Sequence, residues 1–524
     1  MLDRYSWTHV SDTLPVPAVA PSLDGLMRDI LTSRVYDVAR ETPLDPAPRL
    51  SARLGAEVLL KREDLQPIFS FKIRGAYNRI VQLSEAERAH GVIAASAGNH
   101  AQGVALSAHR LGLRAIIVMP QTTPDIKVDA VRRLGGECVL WGDTYGEAYA
   151  HALELAAASG ATFIHPFDDP LVIAGQGTVG DEIVRQRPGD LTAVFVPVGG
   201  GGLLAGIAGY LKAVLPAVKV IGVEPVDANA MALSLAAGRR VVLDEVGLFA
   251  DGVAVREVGA HTFAIAQATV DEVVLVDNDA ICAAIKDVFD DTRTIMEPAG
   301  ALSVAGLKAW AATHDVAGAR LVAILSGANM NFDRLRFVAE RAEIGEAREA
   351  LCAVTIPERP GAFREFCTAL GRRVVTEFNY RLSRRDEAHI FVGFATRSRA
   401  DAQQALTSLR GAGYEVMDLS GSELAKLHLR YMVGGRSADV RHERLCRFEF
   451  PERPGALLQF LDTLGGRWNI SLFHYRNHGA DVGRVLAGFE VPLDDSHDFV
   501  GFLDLLGYRY TLDIDEEAYR RFLA

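Results

Sequence analysis

The chain has 524 residues, which is enough for about three domains. Hydrophobic residues make up 49% and charged residues 23%, an ordinary composition for a soluble globular protein. The formal net charge of −12 argues against binding to nucleic acid or to an anionic membrane, and no apolar run is long enough to span a membrane.

Five cysteines are scattered along the chain without a Cys-x-x-Cys pair. This pattern favours reduced thiols in a cytoplasmic protein and gives no sign of a disulfide framework or a zinc site. We therefore predict no metal ligands. Residues 1–25 lack the apolar segment of a signal peptide, and we interpret them as an N-terminal arm.

Short β-branched segments alternate with helical segments from Glu57 onward. This alternation predicts an α/β fold with parallel sheets covered by helices, in which ligands bind beyond the carboxyl ends of the strands. The predicted strands are 57–61, 91–95, 114–119, 137–140, 162–165, 193–197, 219–223 and 321–325, and the predicted helices are 76–83, 100–111, 126–134, 145–158, 177–186 and 203–214.

A lysine precedes the first of these helices, in the segment Ser70-Phe71-Lys72-Ile73-Arg74-Gly75-Ala76. An isolated lysine usually points into water, because lysine is almost never buried unless it is paired. In a partly apolar pocket, however, its pKa can fall far enough for the amine to act as a nucleophile or to form an imine. The segment by itself leaves both interpretations of Lys72 open.

The segment Ser96-Ala97-Gly98-Asn99-His100 follows the second predicted strand. Such a turn exposes backbone N–H groups at a helix N-terminus, where anions bind. The same residue types are also common helix caps, so the segment alone does not distinguish a binding loop from a cap.

Four consecutive glycines, Gly199–Gly202, lie before Leu203 at another strand-to-helix junction. Their backbone can wrap closely around a phosphate at the positive end of a helix. The segment also fits G-x-G-x-x-A, and Glu224 ends the next strand about where a Rossmann fold places its ribose-binding acid. An NAD-dependent oxidoreductase is therefore an alternative, although the motif does not lie at the first β–α turn of the domain.

A third junction, Ser326-Gly327-Ala328-Asn329, follows the predicted strand 321–325. A serine in this position can hydrogen-bond a ring nitrogen of a ligand, or it can cap a helix. Upstream, the segment 297–301 (Glu-Pro-Ala-Gly-Ala) either shapes the far wall of a pocket or forms a turn into the alanine-rich helix that follows it.

In their order and spacing, these segments resemble pyridoxal-phosphate (PLP) enzymes of fold type II, the tryptophan-synthase-β-like family, and most closely the biosynthetic threonine dehydratases. The resemblance covers about residues 30–340 and implies a catalytic domain at 26–335. It implies that Lys72 binds PLP covalently and removes the substrate α-proton, that Asn99 contacts the ring hydroxyl, and that Ser326 contacts the ring nitrogen. It further implies PLP contacts for Phe71 and for the phosphate loop Gly199, Gly200, Gly201, Gly202 and Leu203, and a substrate-carboxylate site at Ser96, Ala97, Gly98, Asn99 and His100.

The C-terminal part of the chain contains an internal repeat. Residues 351–362 are echoed by 445–456, and Phe378-Asn379-Tyr380-Arg381 by Phe473-His474-Tyr475-Arg476. We predict a linker at 336–350 and two α+β subdomains at 351–440 and 441–524. They resemble the paired ACT-like regulatory domains of biosynthetic threonine dehydratases, although a structural or oligomerisation module is an alternative.

The resemblance implies deamination of L-threonine, and of L-serine, to 2-oxobutanoate or pyruvate and ammonia, as the first step of isoleucine biosynthesis. It also implies a cytoplasmic homotetramer that isoleucine inhibits and valine opposes. We expect the effector carboxylate at the helix starts 360–362 and 454–456. A catalytically inactive amino-acid sensor is a further alternative, against which the intact Lys72, Asn99 and Ser326 argue.

Overall fold

The computed structural model describes residues 22–382, 386–427, 429–431, 440–451, 456–464, 467–476 and 482–512. The chain divides into two compact units between Ala342 and Glu343. This division lies within the predicted linker 336–350. The first part of the linker, as far as Gly345, is helical. Residues 1–21 of the predicted arm lie outside the described residues, and the first helix begins at Leu23.

The first unit combines helices and strands in alternation. Its helices are α1 (Leu23–Leu31), α2 (Pro48–Leu54), α3 (Lys72–Val81), α4 (Glu85–His90), α5 (Asn99–Arg110), α6 (Asp125–Arg133), α7 (Tyr145–Ser159), α8 (Pro170–Gln186), α9 (Gly202–Val214), α10 (Ala230–Ala237), α11 (Ala260–Thr269), α12 (Asn278–Thr292), α13 (Pro298–Ala311) and α14 (Leu335–Gly345), the last of which extends past Ala342. Its strands are β1 (Leu44–Pro46), β2 (Glu57–Arg62), β3 (Val92–Ala95), β4 (Ala115–Met119), β5 (Glu137–Leu140), β6 (Thr162–Phe163), β7 (Ala193–Pro197), β8 (Lys219–Pro225), β9 (Glu272–Val276) and β10 (Arg320–Leu325).

Two sheets organise this unit. The larger has the order β1-β2-β10-β7-β8-β9, in which every pair except β1–β2 is parallel. The smaller has the order β5-β4-β3-β6 and is entirely parallel. The parallel α/β fold predicted from the sequence is therefore confirmed.

Strand β7 shows why these segments form buried parallel strands. All of its residues are buried, and successive side chains point to opposite faces. Val194 and Val196 pack into the hydrophobic cluster on one face, whereas Phe195 packs into the cluster on the other. A continuous apolar run is thus what a sheet with helices on both sides requires.

Two predicted elements differ from the structure near residue 165. The predicted strand 162–165 ends at Phe163, because the His165 ring accepts hydrogen bonds from the backbone N–H groups of Phe167 and Asp168 and the chain turns there. The helix predicted at 177–186 begins seven residues earlier, at Pro170, because Asp169 caps it by accepting from Leu171 and Val172. A cap of this kind fixes the start of a helix more strongly than its apolar periodicity does.

The second unit is an antiparallel sheet with helices. Its strands follow the order β14-β11-β13-β12-β16-β17-β15-β18. Their ranges are β11 (Glu349–Pro357), β12 (Val375–Arg381), β13 (Glu387–Ala395), β14 (Glu415–Asp418), β15 (Glu443–Pro451), β16 (Asn469–Arg476), β17 (Val482–Glu490) and β18 (Tyr510–Leu512), and the helices are α15 (Ala362–Leu370), α16 (Arg399–Gly411), α17 (Glu423–Leu427), α18 (Ala456–Leu464) and α19 (Ser496–Leu506).

The repeated motifs meet at the centre of this sheet. Strands β12 and β16 pair so that Asn379 lies opposite His474, with Phe378 opposite Tyr475 and Tyr380 opposite Phe473. The two halves are therefore related by an approximate twofold axis through the pair formed by Asn379 and His474. Pro454 and Gly455, which belong to the second predicted carboxylate site, lie outside the described residues.

Among the residues described, no helix combines the length and the apolar character needed to cross a membrane.

Candidate active site

The segment before α3 is joined to the segment after β10. Ser70 and Gly327 form an isolated antiparallel bridge. The Phe71 N–H donates to the Ser326 carbonyl at 3.2 Å, and the Ala328 N–H donates to the Phe69 carbonyl at 2.9 Å. This pairing brings the predicted lysine and the predicted serine to the same edge of the large sheet.

Lys72 is the first residue of α3, and its amine lies in the protein interior. The amine donates a hydrogen bond to the Pro166 carbonyl at 2.9 Å. Burial lowers the pKa of Lys72 to about 8, although the nearby Glu297 carboxyl opposes this change. A lysine with such a pKa carries a neutral, nucleophilic amine much more often than a lysine in water does.

The glycine loop presents free donors. Within the described part of the chain, the backbone N–H groups of residues 199–203 have no hydrogen-bond acceptor. All of these residues except Gly199 are buried. Buried N–H groups normally have a hydrogen-bond partner. The unpaired N–H groups of residues 199–203 lie at the N-terminal end of α9, which is its positive end. The loop therefore offers the unpaired donors that a phosphate group would need, as predicted for this segment.

Phe167 explains why this loop needs glycine. A Cβ on Gly200 would overlap the Phe167 ring, and a Cβ on Gly202 would lie 3.1 Å from the Phe167 Cα. Gly201 has φ +96°, a conformation that side chains rarely adopt. Phe167 was not predicted as a site residue, because an aromatic residue in a loop carries no signal that it covers another loop.

The segment that contains Phe167 also connects three helices. Asp168 accepts from the backbone N–H groups of Ala260 and His261 at 2.8 Å, and so caps α11. Asp169 caps α8 and accepts a hydrogen bond from Arg79 on α3 at 3.0 Å. These short polar contacts fix the position of the carbonyl that holds the Lys72 amine.

The asparagine loop lies at the start of α5. The backbone N–H groups of Ala97, Asn99 and His100 have no acceptor among the described residues, which fits an anionic group at this helix start. The Asn99 side chain donates to Glu297 Oε1 at 2.6 Å and accepts from Asn329 Nδ2 at 2.6 Å. Neither of these partners was assigned to Asn99 from the sequence.

The His100 side chain is buried and bonded to a backbone carbonyl. Its Nε2 lies 2.8 Å from the Ile164 carbonyl, and burial lowers its pKa to about 3. The ring is therefore neutral at physiological pH, with Nε2 donating to the carbonyl. The backbone N–H of His100 is unpaired among the described residues, so the predicted contact with a substrate carboxylate stays a prediction for this group.

Ser326 is buried at the end of β10. Its hydroxyl donates to the Ala299 carbonyl at 3.2 Å, and its oxygen keeps lone pairs that can accept another hydrogen bond. Phe71, the other predicted contact residue, has its ring 5.4 Å from the Lys72 amine. The contacts of both residues with PLP stay predictions.

A buried group of four charges lies beneath α3. Arg74 bonds Glu63 through two nitrogens, both at 2.7 Å, and Glu182 at 2.6 Å. Lys61 bonds the second oxygen of Glu182 at 2.6 Å, and all four side chains are fully buried. Two cations and two anions balance, and this arrangement holds the helix that begins with Lys72.

Glu224 does not face a nucleotide. It is fully buried and accepts the backbone N–H groups of Met231 at 2.9 Å and Ala232 at 2.8 Å, so it caps α10. Burial raises its pKa to about 8. An acid that binds ribose must be accessible, and the NAD-dependent alternative therefore loses the residue on which it depended.

The comparisons with known proteins cover nearly the whole chain. Residues 35–327 match the family described as pyridoxal-phosphate dependent enzymes, and residues 340–429 and 434–523 match the C-terminal regulatory domain of threonine dehydratase. The biosynthetic L-threonine dehydratase IlvA of Burkholderia multivorans is 58% identical over 95% of this chain and 99% of its own length.

Two further relatives agree with this match. The corresponding enzyme of Escherichia coli is 53% identical over 98% of this chain and 100% of its own length. The solved structure of the processed form of threonine deaminase isoform 2 from Solanum lycopersicum has a TM-score of 0.62 and 53% identity, covering 66% of this chain and 94% of that chain.

Proposed function

Because this chain belongs to the family of biosynthetic threonine dehydratases, PLP-dependent enzymes with a C-terminal regulatory domain, we propose that it converts L-threonine to 2-oxobutanoate and ammonia. The enzyme is a threonine ammonia-lyase, and its reaction is the first step of isoleucine biosynthesis. L-Serine, which lacks only the methyl group, is the second substrate and gives pyruvate. The observation that carries the assignment is that the Lys72 amine binds the Pro166 carbonyl, and the next residue, Phe167, packs on a loop of unpaired backbone donors.

Bound PLP supplies an electron sink that stabilises negative charge on the substrate α-carbon. Lys72 would hold the cofactor through its amine, and the N–H groups of residues 199–203 would hold its phosphate. Phe71 would pack against it. The Ser326 hydroxyl would contact the ring nitrogen; it is neutral and can donate or accept there, so it would not force the ring into its protonated form. Asn99 would donate to the ring oxygen.

The substrate carboxylate binds at the start of α5. Three N–H groups are available there, from Ala97, Asn99 and His100, and Ser96 and Gly98 shape the turn. The positive end of the helix favours a carboxylate in this position. A substrate held in this way would present its α-hydrogen to the amine of Lys72.

Lys72 then acts as a general base. Its pKa of about 8 lies near the operating pH, so the neutral amine is populated and still basic enough to remove the α-proton. Loss of the β-hydroxyl as water follows, and the resulting enamine hydrolyses to the 2-oxoacid and ammonia.

The direct test is an assay of the purified protein for ammonia and 2-oxoacid release from L-threonine. The same preparation is expected to show the visible absorbance of bound PLP and to lose it on borohydride treatment. A colourless protein that releases no ammonia from threonine or serine would contradict the assignment.

We place the amino-acid effector of the regulatory domain at a surface depression in the second unit. It lies at the start of α15, where the Phe363 and Arg364 N–H groups have no acceptor among the described residues. These donors suit a carboxylate, and the apolar lining suits a branched side chain. The lining residues are Arg359, Pro360, Gly361, Phe363, Arg364, Leu461, Trp468, Asn469 and Ile470.

Isoleucine is the inhibitor that we propose for this site, and valine is the proposed competitor with the opposite effect. Arg364→Glu places a negative charge beside the carboxylate site and is expected to raise the isoleucine concentration for half-inhibition about tenfold, equivalent to ~1.4 kcal/mol. Arg372→Glu, a matched change at an exposed position outside the lining, serves as the control. Equal effects of the two variants would contradict this location.

The assembly we propose is a cytoplasmic homotetramer, on the basis of the family resemblance. Light scattering of the purified protein gives the subunit number directly, and a monomeric mass at micromolar concentration would contradict it. Fractionation of the producing cells tests the compartment.

A further inference from the structure

Three side chains from separate loops form one hydrogen-bonded chain behind the asparagine loop. Glu297, just before α13, accepts from Asn99 Nδ2 at 2.6 Å. The Asn99 oxygen accepts from Asn329 Nδ2 at 2.6 Å, and the same nitrogen donates to the Ile68 carbonyl at 2.8 Å. The backbone N–H of Asn329 lies near enough to Glu297 to lower the pKa of its carboxyl. Glu297 therefore connects the loops that follow β3 and β10.

The chemistry of a carboxylate fixes the direction of this chain. An ionised carboxylate only accepts hydrogen bonds, so Asn99 must turn its NH₂ group toward Glu297 and its oxygen toward Asn329. One N–H of Asn99 is then used by Glu297, and its second N–H remains available for a ligand. The orientation of Asn99 is thus set by its neighbour.

We propose that Glu297 is a positioning residue that acts through Asn99, holding the Asn99 amide as a hydrogen-bond donor to an oxygen of bound PLP. This inference rests on the proposed function, because it assigns a partner to the PLP contact of Asn99. Glu297 itself touches neither cofactor nor substrate. From the sequence, the segment 297–301 had only two interpretations, the far wall of a pocket or a turn into the next helix.

The surroundings of Glu297 make its protonation responsive near neutral pH. Burial, followed by the charge of Asp251, raises the pKa of Glu297 to about 7, whereas the hydrogen bond from Asn99 and the charge of Lys127 lower it. Asp251 forms an ion pair with Lys127 at 2.7 Å and another with Arg334 at 3.5 Å. Together with Lys72, these are the charged groups that face Glu297.

A single substitution changes the polarity without changing the shape. Glu297→Gln keeps the size of the side chain but replaces one acceptor oxygen with a donor. Either Asn99 or the Asn329 backbone N–H then faces another donor. We expect the pH midpoint of the visible PLP absorbance to shift and the holoenzyme to release PLP about tenfold faster, since a charge-assisted hydrogen bond is lost.

A double-mutant cycle separates positioning from a general structural role. In an Asn99→Ala background, Glu297→Gln is expected to have no further effect on the absorbance midpoint or on PLP release. Glu154→Gln, at an exposed site on α7, is the matched control and should leave both unchanged. Additive effects of the two active-site changes, or a Glu297→Gln spectrum identical to the wild type at every pH, would overturn the proposal.

Two further outcomes are distinguishable. If Glu297→Gln does not fold, Glu297→Asp replaces it in the test. This variant keeps the charge but moves it away from Asn99, and it must also shift the pH midpoint of the visible PLP absorbance for the proposal to stand. If the wild-type protein has no PLP absorbance at all, the proposed function fails together with this inference. A normal wild-type spectrum with unaffected Glu297 variants overturns only the inference.

Discussion

In the proposed mechanism Lys72 both attaches the cofactor and removes a proton, which suits an amine that lies against a carbonyl and is not paired with a carboxylate. The contact with Pro166 accepts a hydrogen bond from the amine without adding a full negative charge. Desolvation is therefore free to lower the pKa, and only the more distant Glu297 opposes it.

The pH dependence of cofactor attachment follows from this pKa. Only the neutral amine attacks PLP, so the attachment rate of cofactor-free protein should rise about tenfold per pH unit below pH 8 and level off above it. Stopped-flow absorbance at constant PLP measures this rate. A rate that still climbs tenfold per unit above pH 9 would indicate an unperturbed lysine and contradict the burial argument.

The substitution Lys72→Ala removes both functions of the amine. We expect ammonia release to fall to background, because alanine can neither hold the cofactor nor take the α-proton. Circular dichroism should remain that of the wild type, since the charges that fix α3 belong to other residues. Substantial residual turnover in a folded variant would refute the assignment of Lys72.

At the scale of elements, the glycine loop and Phe167 form a packed pair. The N–H groups of the loop stay free because its other side is occupied by protein. The loop is thus held in shape before any ligand arrives, which reduces the entropy that binding must overcome.

Gly200→Ala tests this packing. The new methyl group would displace the Phe167 ring, and overpacking of this kind destabilises by roughly 1–3 kcal/mol. We expect weaker PLP binding, measured by equilibrium dialysis, and a lower unfolding midpoint. Gly146→Ala, in the exposed start of α7 where a Cβ meets only one atom at 4.0 Å, should leave PLP binding unchanged.

Helix α3 depends on charges that have no access to water. Arg74→Met leaves Glu63 and Glu182 with one cation between them, and breaking a buried ion pair in this way costs about 3–5 kcal/mol. Chemical denaturation should detect this loss. Arg132→Met, which removes an exposed pair with Asp129, should change stability by less than about 1 kcal/mol. Similar losses of unfolding free energy in the two variants would show that the buried charges do not stabilise the fold.

At the scale of the whole molecule, catalysis and regulation occupy different units. The site around Lys72 lies entirely before Ala342, and the pocket near Gly361 lies entirely after Glu343. Allostery requires two separate sites of this kind, coupled by a free energy that changes the affinity at one when the other is filled.

Isoleucine is expected to raise the threonine concentration for half-maximal rate, by roughly 5- to 150-fold for a coupling of about 1–3 kcal/mol. Removal of residues 343–524 should leave an enzyme that releases ammonia but no longer responds to isoleucine. Threonine saturation curves with and without millimolar isoleucine measure both effects. Identical curves for the intact protein would favour a purely structural role for the repeat.

The sequence by itself determined the fold class, because the apolar periodicity that defines each strand and helix is local. All eight predicted strands, such as 193–197, appear in the structure within about two residues at either end. The repeat in the second unit was equally visible, since duplicated motifs such as Phe378-Asn379-Tyr380-Arg381 need no knowledge of contacts. The family and its cofactor followed from four short motifs in the right order.

Only the tertiary structure decided what those motifs touch. The pairing of Ser70 with Gly327, the cover that Phe167 gives to the glycine loop, and the bond between Glu297 and Asn99 all join residues far apart in the sequence. Such contacts leave no local pattern. The charged run that starts at Lys61 likewise carries no local sign of burial; Lys61 is fully buried because charges from α3 and α8 compensate it. Burial of a charge depends on partners, and the partners are supplied by the fold.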